Sequence, residues 1–250
     1  MLKEERYDKI LEILENDTYV TAQELSKRLY VSLPTIRRDL SELYSRDLLV
    51  RTHGGAKKAK AELTVMPLDI RQKVNHGIKR NLCQAAASLL KHDDVIFLDA
   101  STTVWQMTDF ISPNLNITVV TNSIPLSVQL SRRGLVNFCT GGALRQRSMS
   151  YVGIFAQNFT ENFNFDKVFF SSYGVNDENI IVDTLLPEVL LRKSVFAQCK
   201  EKVFLCDSSK FFLPATYNLI NLESVDYLIT DKKDLKNKFS KDFAKKIIYV

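Results

Sequence analysis

Apolar positions in the first sixty residues recur with a helical period. Tyr7, Ile10, Leu11 and Leu14 form one stripe, which ends at Asn16-Asp17. Thr21-Ala22-Gln23-Glu24 has the form of a capping box, and Leu25 and Leu29 continue that helix inward. Tyr30-Val31 makes a tight connection. Ser32 then serves as an N-cap, with Pro34 in the first turn, where its missing N–H costs little. Ile36, Leu40 and Leu43 fall at i, i+4 and i+7 and share one face. After Asp47 the period changes. Leu48-Leu49-Val50-Arg51 reads as a strand, Gly54-Gly55 as a turn, and the residues after it as a short return strand. Two short helices, a connection and a β-wing make a winged helix-turn-helix.

The charged run Lys57-Lys58-Ala59-Lys60-Ala61-Glu62 reads as a linker. Pro67-Leu68-Asp69-Ile70-Arg71 precedes what reads as one long helix through Lys79, Leu82, Ala85, Ala86, Leu89 and Leu90. Beyond it, short apolar runs recur at 95–98, 117–120, 136–139, 168–170, 203–206 and 227–229, with 247–250 as a further candidate. Helical segments fall between most of them. Unbroken apolar runs alternating with helices predict a mostly parallel sheet covered on both faces. The expected architecture is α/β, divided as 1–57 DNA-binding, 58–75 linker and 76–250 sheet domain.

Composition narrows the class. The 250 residues are 45% hydrophobic and 25% charged, an ordinary globular balance. No apolar run approaches the ~20 residues of a membrane span. The N-terminus is charged and has no signal-peptide core, so a cytoplasmic protein without a membrane partner is expected. Cys83, Cys139, Cys199 and Cys206 form no CxxC pair and have no histidine at ligand spacing. Structural zinc, disulfides and cysteine catalysis are not expected, nor is any cofactor. The net charge of +5 comes chiefly from the C-terminal tail, so charge alone says little about nucleic acid. In that tail Leu235, Phe239 and Phe243 stand at helical spacing and predict a solvated amphipathic helix.

Local arrangement carries the chemistry. The helix opened by Ser32 leaves Thr35, Arg37, Arg38 and Ser41 pointing outward, and these four with Ser32 are the expected DNA contacts of the helix. Arginines suit phosphates and the acceptor edge of guanine, and hydroxyls suit phosphate oxygens. Arg51, Lys57 and Lys58 on the wing suit the backbone or minor groove. In the sheet domain, ligands are expected where strands end. Asp99-Ala100-Ser101-Thr102-Thr103 follows the first strand, and serves equally as an anion cradle or as a plain helix cap. Thr121-Asn122-Ser123 follows the second, and Thr140-Gly141-Gly142-Ala143-Leu144-Arg145 the third. Asp207-Ser208-Ser209-Lys210 follows a later one. Four strand ends rich in hydroxyl, glycine, arginine and lysine point to one anion-binding rim. Glu188 and Arg192, at i and i+4, read either as ligand contacts or as a surface ion pair. Arg71 and Lys79 read as solvated helix charges.

The run Ser32-x-x-Thr35-Ile36-Arg37-Arg38-Asp39-Leu40-x-x-Leu43, followed by His53-Gly54-Gly55-Ala56, resembles the N-terminal signature of DeoR-type bacterial transcription regulators. The resemblance implies that Thr35, Arg37 and Arg38 face DNA. His53 reads better as a packing residue at the start of the wing than as a base reader. The Asp99–Thr103 loop, Thr121-Asn122-Ser123, Gly141-Gly142-x-Leu144-Arg145, Asp207–Phe211 and Ile229-Thr230-Asp231 resemble the C-terminal sensor domain of the same family, which is similar in fold to ribose 5-phosphate isomerase. That implies operator DNA and a phosphorylated sugar as partners, and a homo-oligomer, dimer or tetramer. Arg71 and Lys79 match positions usually basic there.

Two positions depart from the pattern. Ser101 stands where the family usually has glycine. Tyr173, in Ser171-Ser172-Tyr173-Gly174, stands where many relatives and the isomerases carry an acid. An isomerase needs a carboxylate base, so Tyr173 disfavours the alternative of a sugar-phosphate isomerase with an appended DNA-binding domain and is expected to stack on or bond an effector instead. A third reading makes the sheet domain an oligomerisation scaffold without an effector.

Overall fold

A computed structural model describes residues 2–17, 19–45, 49–52, 54–58, 68–235 and 239–250. The chain divides into two units, Met1–Pro67 and Leu68–Val250.

The first unit is built on helices α1 (Lys3–Asn16), α2 (Ala22–Leu29) and α3 (Leu33–Ser45), with strands β1 (Tyr19–Thr21), β2 (Leu49–Thr52) and β3 (Gly55–Lys58). The Thr21 capping box forms as its sequence predicts: Thr21 accepts from the Glu24 N–H and Glu24 accepts from the Thr21 N–H. Ile36, Leu40 and Leu43 all point into the core beside Ile10, Leu14 and Leu25. Each contributes about 1.5–3 kcal/mol of burial. The wing has one strand more than expected. β1, too short to read from the sequence, pairs with β3 to give the antiparallel order β1-β3-β2. Gly55 is required there, because a Cβ would stand 2.3 Å from the Val20 carbonyl oxygen. His53 and residues 59–67, half of the expected linker, lie outside the described residues, as do the side chains of Val50 and Lys58.

The second unit opens on α4 (Leu68–Lys73) and α5 (His76–Ala87). The single long helix expected here is broken at Val74-Asn75, where Asn75 adopts φ 53°. The strands that follow are β4 (Val95–Leu98), β5 (Thr118–Thr121), β6 (Asn137–Cys139), β7 (Ala143–Arg145), β8 (Ser150–Val152), β9 (Phe165–Phe170), β10 (Gly174–Val175), β11 (Ile180–Asp183), β12 (Cys199–Leu205), β13 (Tyr217–Asn221), β14 (Tyr227–Thr230) and β15 (Ile247–Tyr249). Helices α6 (Ile124–Arg132), α7 (Ile154–Thr160), α8 (Leu186–Ala197) and α9 (Lys241–Ala244) lie between them. All seven apolar runs become strands of one fully parallel sheet, in the order β15-β14-β12-β9-β4-β5-β6. Its strands alternate Phe97, Phe170 and Phe204 toward one core with Ile96, Leu98, Phe169 and Val203 toward the other. Two small antiparallel sheets, β7-β8 and β10-β11-β13, flank it. The helix expected after β4 is a 3₁₀ segment, Val104–Asp109. The lysine-rich tail is not one helix: a 3₁₀ turn at Lys233–Leu235 is separate from α9, which Ser240 caps anew. Leu235 and Phe243 are buried rather than laid along a solvated face.

The strand order fixes where a ligand belongs. From β4 the chain runs outward through β5 and β6, then returns to the opposite side of β4 as β9 and continues through β12, β14 and β15. Such a reversal opens a crevice at the carboxyl ends of the two central strands. Here those strands are β4 and β9, which end at Asp99 and Ser171.

Candidate functional site

In the first unit, Arg37 and Arg38 are exposed on α3, and their side chains make no hydrogen bond or ion pair among the described residues. Their neighbour Asp39 is buried. It takes a bidentate ion pair from Arg6, Nε to Oδ2 at 2.5 Å and Nη2 to Oδ1 at 2.9 Å, which ties α3 to α1. The other expected contacts are partly occupied. Ser32 Oγ accepts from the Thr35 N–H at 3.4 Å and lies 2.8 Å from Thr35 Oγ1, so these hydroxyls cap the helix. Ser41 Oγ donates back to the Arg37 carbonyl at 2.9 Å and accepts from Arg51 Nη1 at 2.6 Å. Ser41 therefore holds a wing arginine beside the helix that carries Arg37 and Arg38.

In the second unit, Asp99 ends β4 and is enclosed. Its Oδ1 accepts from the Ser101 N–H at 3.0 Å, and its Oδ2 accepts from the Ser171 N–H at 3.2 Å and from Arg192 Nε at 3.2 Å. Arg192 also donates from Nη1 to Asp183 Oδ2 at 2.7 Å. Glu188 and Arg192 are 6% and 7% exposed, so the surface-pair reading fails. Arg192 binds Asp99 and Asp183, while Glu188 accepts from Ser150 Oγ at 2.8 Å. Burial raises the Glu188 carboxyl pKa. Burial alone would lower that of Arg192, but the three carboxylates outweigh it and hold the guanidinium above its usual value.

A cationic group adjoins this one. The break at Asn75 turns α5 back so that Lys79 Nζ donates to the Arg71 carbonyl and, at 3.3 Å, to Thr102 Oγ1. Lys79 is 4% exposed, and Arg71 is half-buried, within electrostatic reach of Glu188, Asp183 and Asp99. These are not solvated charges. Burial first, then the positive charge of Lys210, draws the Lys79 ammonium down to about 8. Lys210 Nζ donates to Ser171 Oγ at 2.8 Å and to the Ser172 carbonyl at 2.9 Å. Asn75 Nδ2 reaches Asp207 Oδ1 at 3.2 Å, and Ser208 is held by Asp231, which orders the turn carrying Lys210.

The remaining expected residues divide. Ser101 Oγ accepts from the Val104 N–H and Ser123 Oγ from the Leu126 N–H, the plain helix-cap roles. Thr103 Oγ1 and Asn122 Oδ1 are buried with no hydrogen-bond partner among the described residues. Buried polar atoms are rarely left so, and both suit groups that pair with something other than this chain. Arg145 pairs across β7-β8 with Ser150, which puts it on the same face as the hydroxyl that holds Glu188. It has no ion pair among the described residues. Gly141, at φ 66°, faces open space, whereas Gly142 is required by packing: a Cβ would stand 2.8 Å from the Val152 carbonyl oxygen. Tyr173 is partly exposed on the turn after β9. The sequence reading kept Asp183 only as a disfavoured acid–base group, gave Arg71 and Lys79 as solvated charges, and left Arg192 open between ligand contact and surface pair. For Glu188 and Arg192 a signal existed, since they share the helical stripe of Val189, Val195 and Phe196.

No helix among the described residues is long and apolar enough to cross a membrane. No metal-holding cluster occurs among them. The profile of the DeoR-like helix-turn-helix domain matches residues 6–62, and that of the DeoR C terminal sensor domain matches residues 74–232. The chain is 33% identical over 232 residues to an uncharacterized HTH-type transcriptional regulator, YulB, of Bacillus subtilis, covering 92% of this chain and 90% of that one. It is 29% identical over 237 residues to the L-fucose operon activator of Escherichia coli, covering 94% and 97%. With the lactose phosphotransferase system repressor of Staphylococcus epidermidis it shares 29% over 243 residues, covering 95% and 96%. Among solved structures, ribose 5-phosphate isomerase from Plasmodium falciparum aligns at a TM-score of 0.40 with 13% identity, covering 54% of this chain and 52% of that one.

Proposed function

The chain belongs to the DeoR family of transcriptional regulators, and from that premise we propose that it represses a sugar-utilisation operon and releases its operator when a phosphorylated sugar binds the sheet domain. The observation that carries the effector half is the enclosed charge at the reversal of strand order. Lys79, Lys210 and Arg71 gather beside Thr102, Thr103 and Ser171, a set suited to a phosphate. Asp99, Asp183 and Glu188, anchored by Arg192 and Ser150, suit sugar hydroxyls. Arg145 and Tyr173 flank the rim. Release requires only that the effector bind one conformation of the protein better than the other.

The same geometry argues against catalysis. Asp99 and Asp183 are tied to Arg192, Glu188 holds a hydroxyl, and Tyr173 replaces an acid. No isomerisation of pentose or hexose phosphates is expected. Turnover abolished by Asp183→Asn would reverse that reading.

The deciding experiment is fluorescence anisotropy on DNA from upstream of the protein's own operon, at one stated salt concentration, repeated across a panel of sugar phosphates. One member should release the DNA. Lys210→Ala should bind the operator normally and lose the response to that member. Retention of the full response would remove Lys210 from the site.

Lys79 adds a pH signature. A sugar phosphate is a dianion throughout pH 7–9. It needs Lys79 charged, so effector affinity should fall as pH rises through about 8. Protein stability moves the other way. The unfolded chain holds that proton more tightly, so the native state gains from Lys79 as pH rises from about 8 toward the ordinary lysine value of 10.5. Calorimetric titrations across that range should show the fall in affinity, and Lys79→Met should bind more weakly and without it.

A further inference from the structure

Between Gly134 and Thr160 the chain carries only two charged residues, Arg145 and Arg147, although a quarter of the whole is charged. The stretch is not buried to match. Val136, Phe138, Leu144, Ile154 and Phe155 are 59%, 44%, 47%, 61% and 76% exposed. Helix α7, Ile-Phe-Ala-Gln-Asn-Phe-Thr, has no charge at all, whereas a surface helix ordinarily keeps a charged outer face.

These side chains are contiguous. Val136 and Phe138, at i and i+2, lie on one face of β6. The Phe138 ring packs on Phe163 at 5.6 Å between centroids, and Phe163 packs on Phe159 at 5.4 Å. Phe155 stands one helical turn before Phe159 on α7. Gly142, between β6 and β7, lies against Ala156 of the same helix, bringing the β7 end of the strip alongside.

The strip borders an open sheet edge, because among the described residues β6 is the terminal strand and pairs only with β5. The Val136 carbonyl and the Thr140 N–H bond toward β5. By alternation, the peptide groups of Asn137 and Cys139 face outward with no strand beside them. Proteins ordinarily guard such an edge with charge, proline or a covering element. This one is flanked by aromatic rings.

We propose that a second copy of this chain covers the strip, with β6 of each copy antiparallel about a two-fold axis and Phe138 and Phe155 at the centre. Aromatic enrichment and charge depletion are the compositional marks of an interface core. The five exposed side chains present on the order of 500 Å², large for the biggest patch of a monomer and most of the roughly 800 Å² a side that a stable interface uses. A two-fold axis uses the same patch on both copies and so removes both open edges at once.

The test is the mass of the full-length protein by sedimentation velocity across the micromolar range, with hydrogen exchange on the same samples. The expected result is an assembly of two or more copies. Phe155→Glu, at the most exposed position of the strip, should halve its mass, as should Phe138→Glu, both with a cooperative tryptophan-reported unfolding transition whose midpoint no longer depends on protein concentration. In the wild type, amides of 136–139 and 154–158 should exchange faster on dilution, a readout that stands even if a variant fails to fold. A wild type that stays monomeric overturns the proposal. So does an assembly that keeps its mass in both folded variants, with exchange at 136–139 independent of concentration, since the copies would then meet elsewhere.

Discussion

Methionine in place of Arg192 is expected to lower the unfolding midpoint of the sheet domain by roughly 6–20 °C, from a loss of about 3–5 kcal/mol when one member of a buried ionic group is removed. Arg192 hydrogen-bonds both Asp99 and Asp183, the one cation to do so among the described residues, and all three are almost fully enclosed. Removing it takes away the cation that hydrogen-bonds both buried carboxylates and leaves Arg71 in electrostatic reach of them. Lysine at 192 reaches one carboxylate and not both, and should fall between. Arg192→Met combined with Asp99→Asn and Asp183→Asn should recover part of the loss, because the unpaired charges are then gone. Trp105, the only tryptophan and part of this unit, gives the readout by fluorescence. A shift under about 2 °C would mean that the carboxylates find other partners or water.

Arg38→Ala is expected to cost about 1–3 kcal/mol for each recognition helix engaged, tenfold or more in operator affinity per helix. With two helices on one operator the losses multiply, and binding should vanish at working concentrations. Arg38 is exposed and unpaired among the described residues, so the substitution removes a charge without disturbing the core. Titrating Arg37→Ala beside it at several salt concentrations sorts the two arginines. The one on phosphate should weaken all DNA alike and flatten the salt dependence, and the one on a base should relax sequence preference. The effector response of the sheet domain should be untouched in both. Unchanged DNA affinity in Arg38→Ala would displace the recognition helix from α3.

Much of the fold was legible because buried parallel strands leave unbroken apolar runs, and all seven runs of this chain became strands of one sheet. The α3 stripe was equally plain, since Ile36, Leu40 and Leu43 have no alternative period. Spatial order was not legible. Nothing local to Leu98 says that Phe169 lies beside it, and the reversal that makes the crevice depends on that pairing. The site was read from one side for the same reason. Loops rich in hydroxyl and glycine announce themselves, but Arg192 earns its role from Asp99, 93 positions away, and resembles any i, i+4 partner of Glu188 until the two meet. The break at Asn75 was hidden because asparagine in the left-handed region leaves no mark beyond its identity. Strand β1 was missed because three residues cannot show a period of two.

The pairing that makes the crevice also sets a timetable for synthesis. Ile96 in β4 pairs with Lys167 in β9, 71 positions further along the chain. Strands β4, β5 and β6 therefore leave the ribosome as a half-sheet whose inner edge is bare until β9 arrives. Loop closure over that distance is slow, and parallel pairing gives little reward before it is complete. The chain made in the interval includes the charge-poor stretch from Gly134 to Thr160, which has few charges to keep nascent copies apart. A stall after residues 134–160 have emerged from the ribosome and before β9 has followed would leave the most adhesive species this gene can produce, and chaperone demand should peak there rather than at the DNA-binding end.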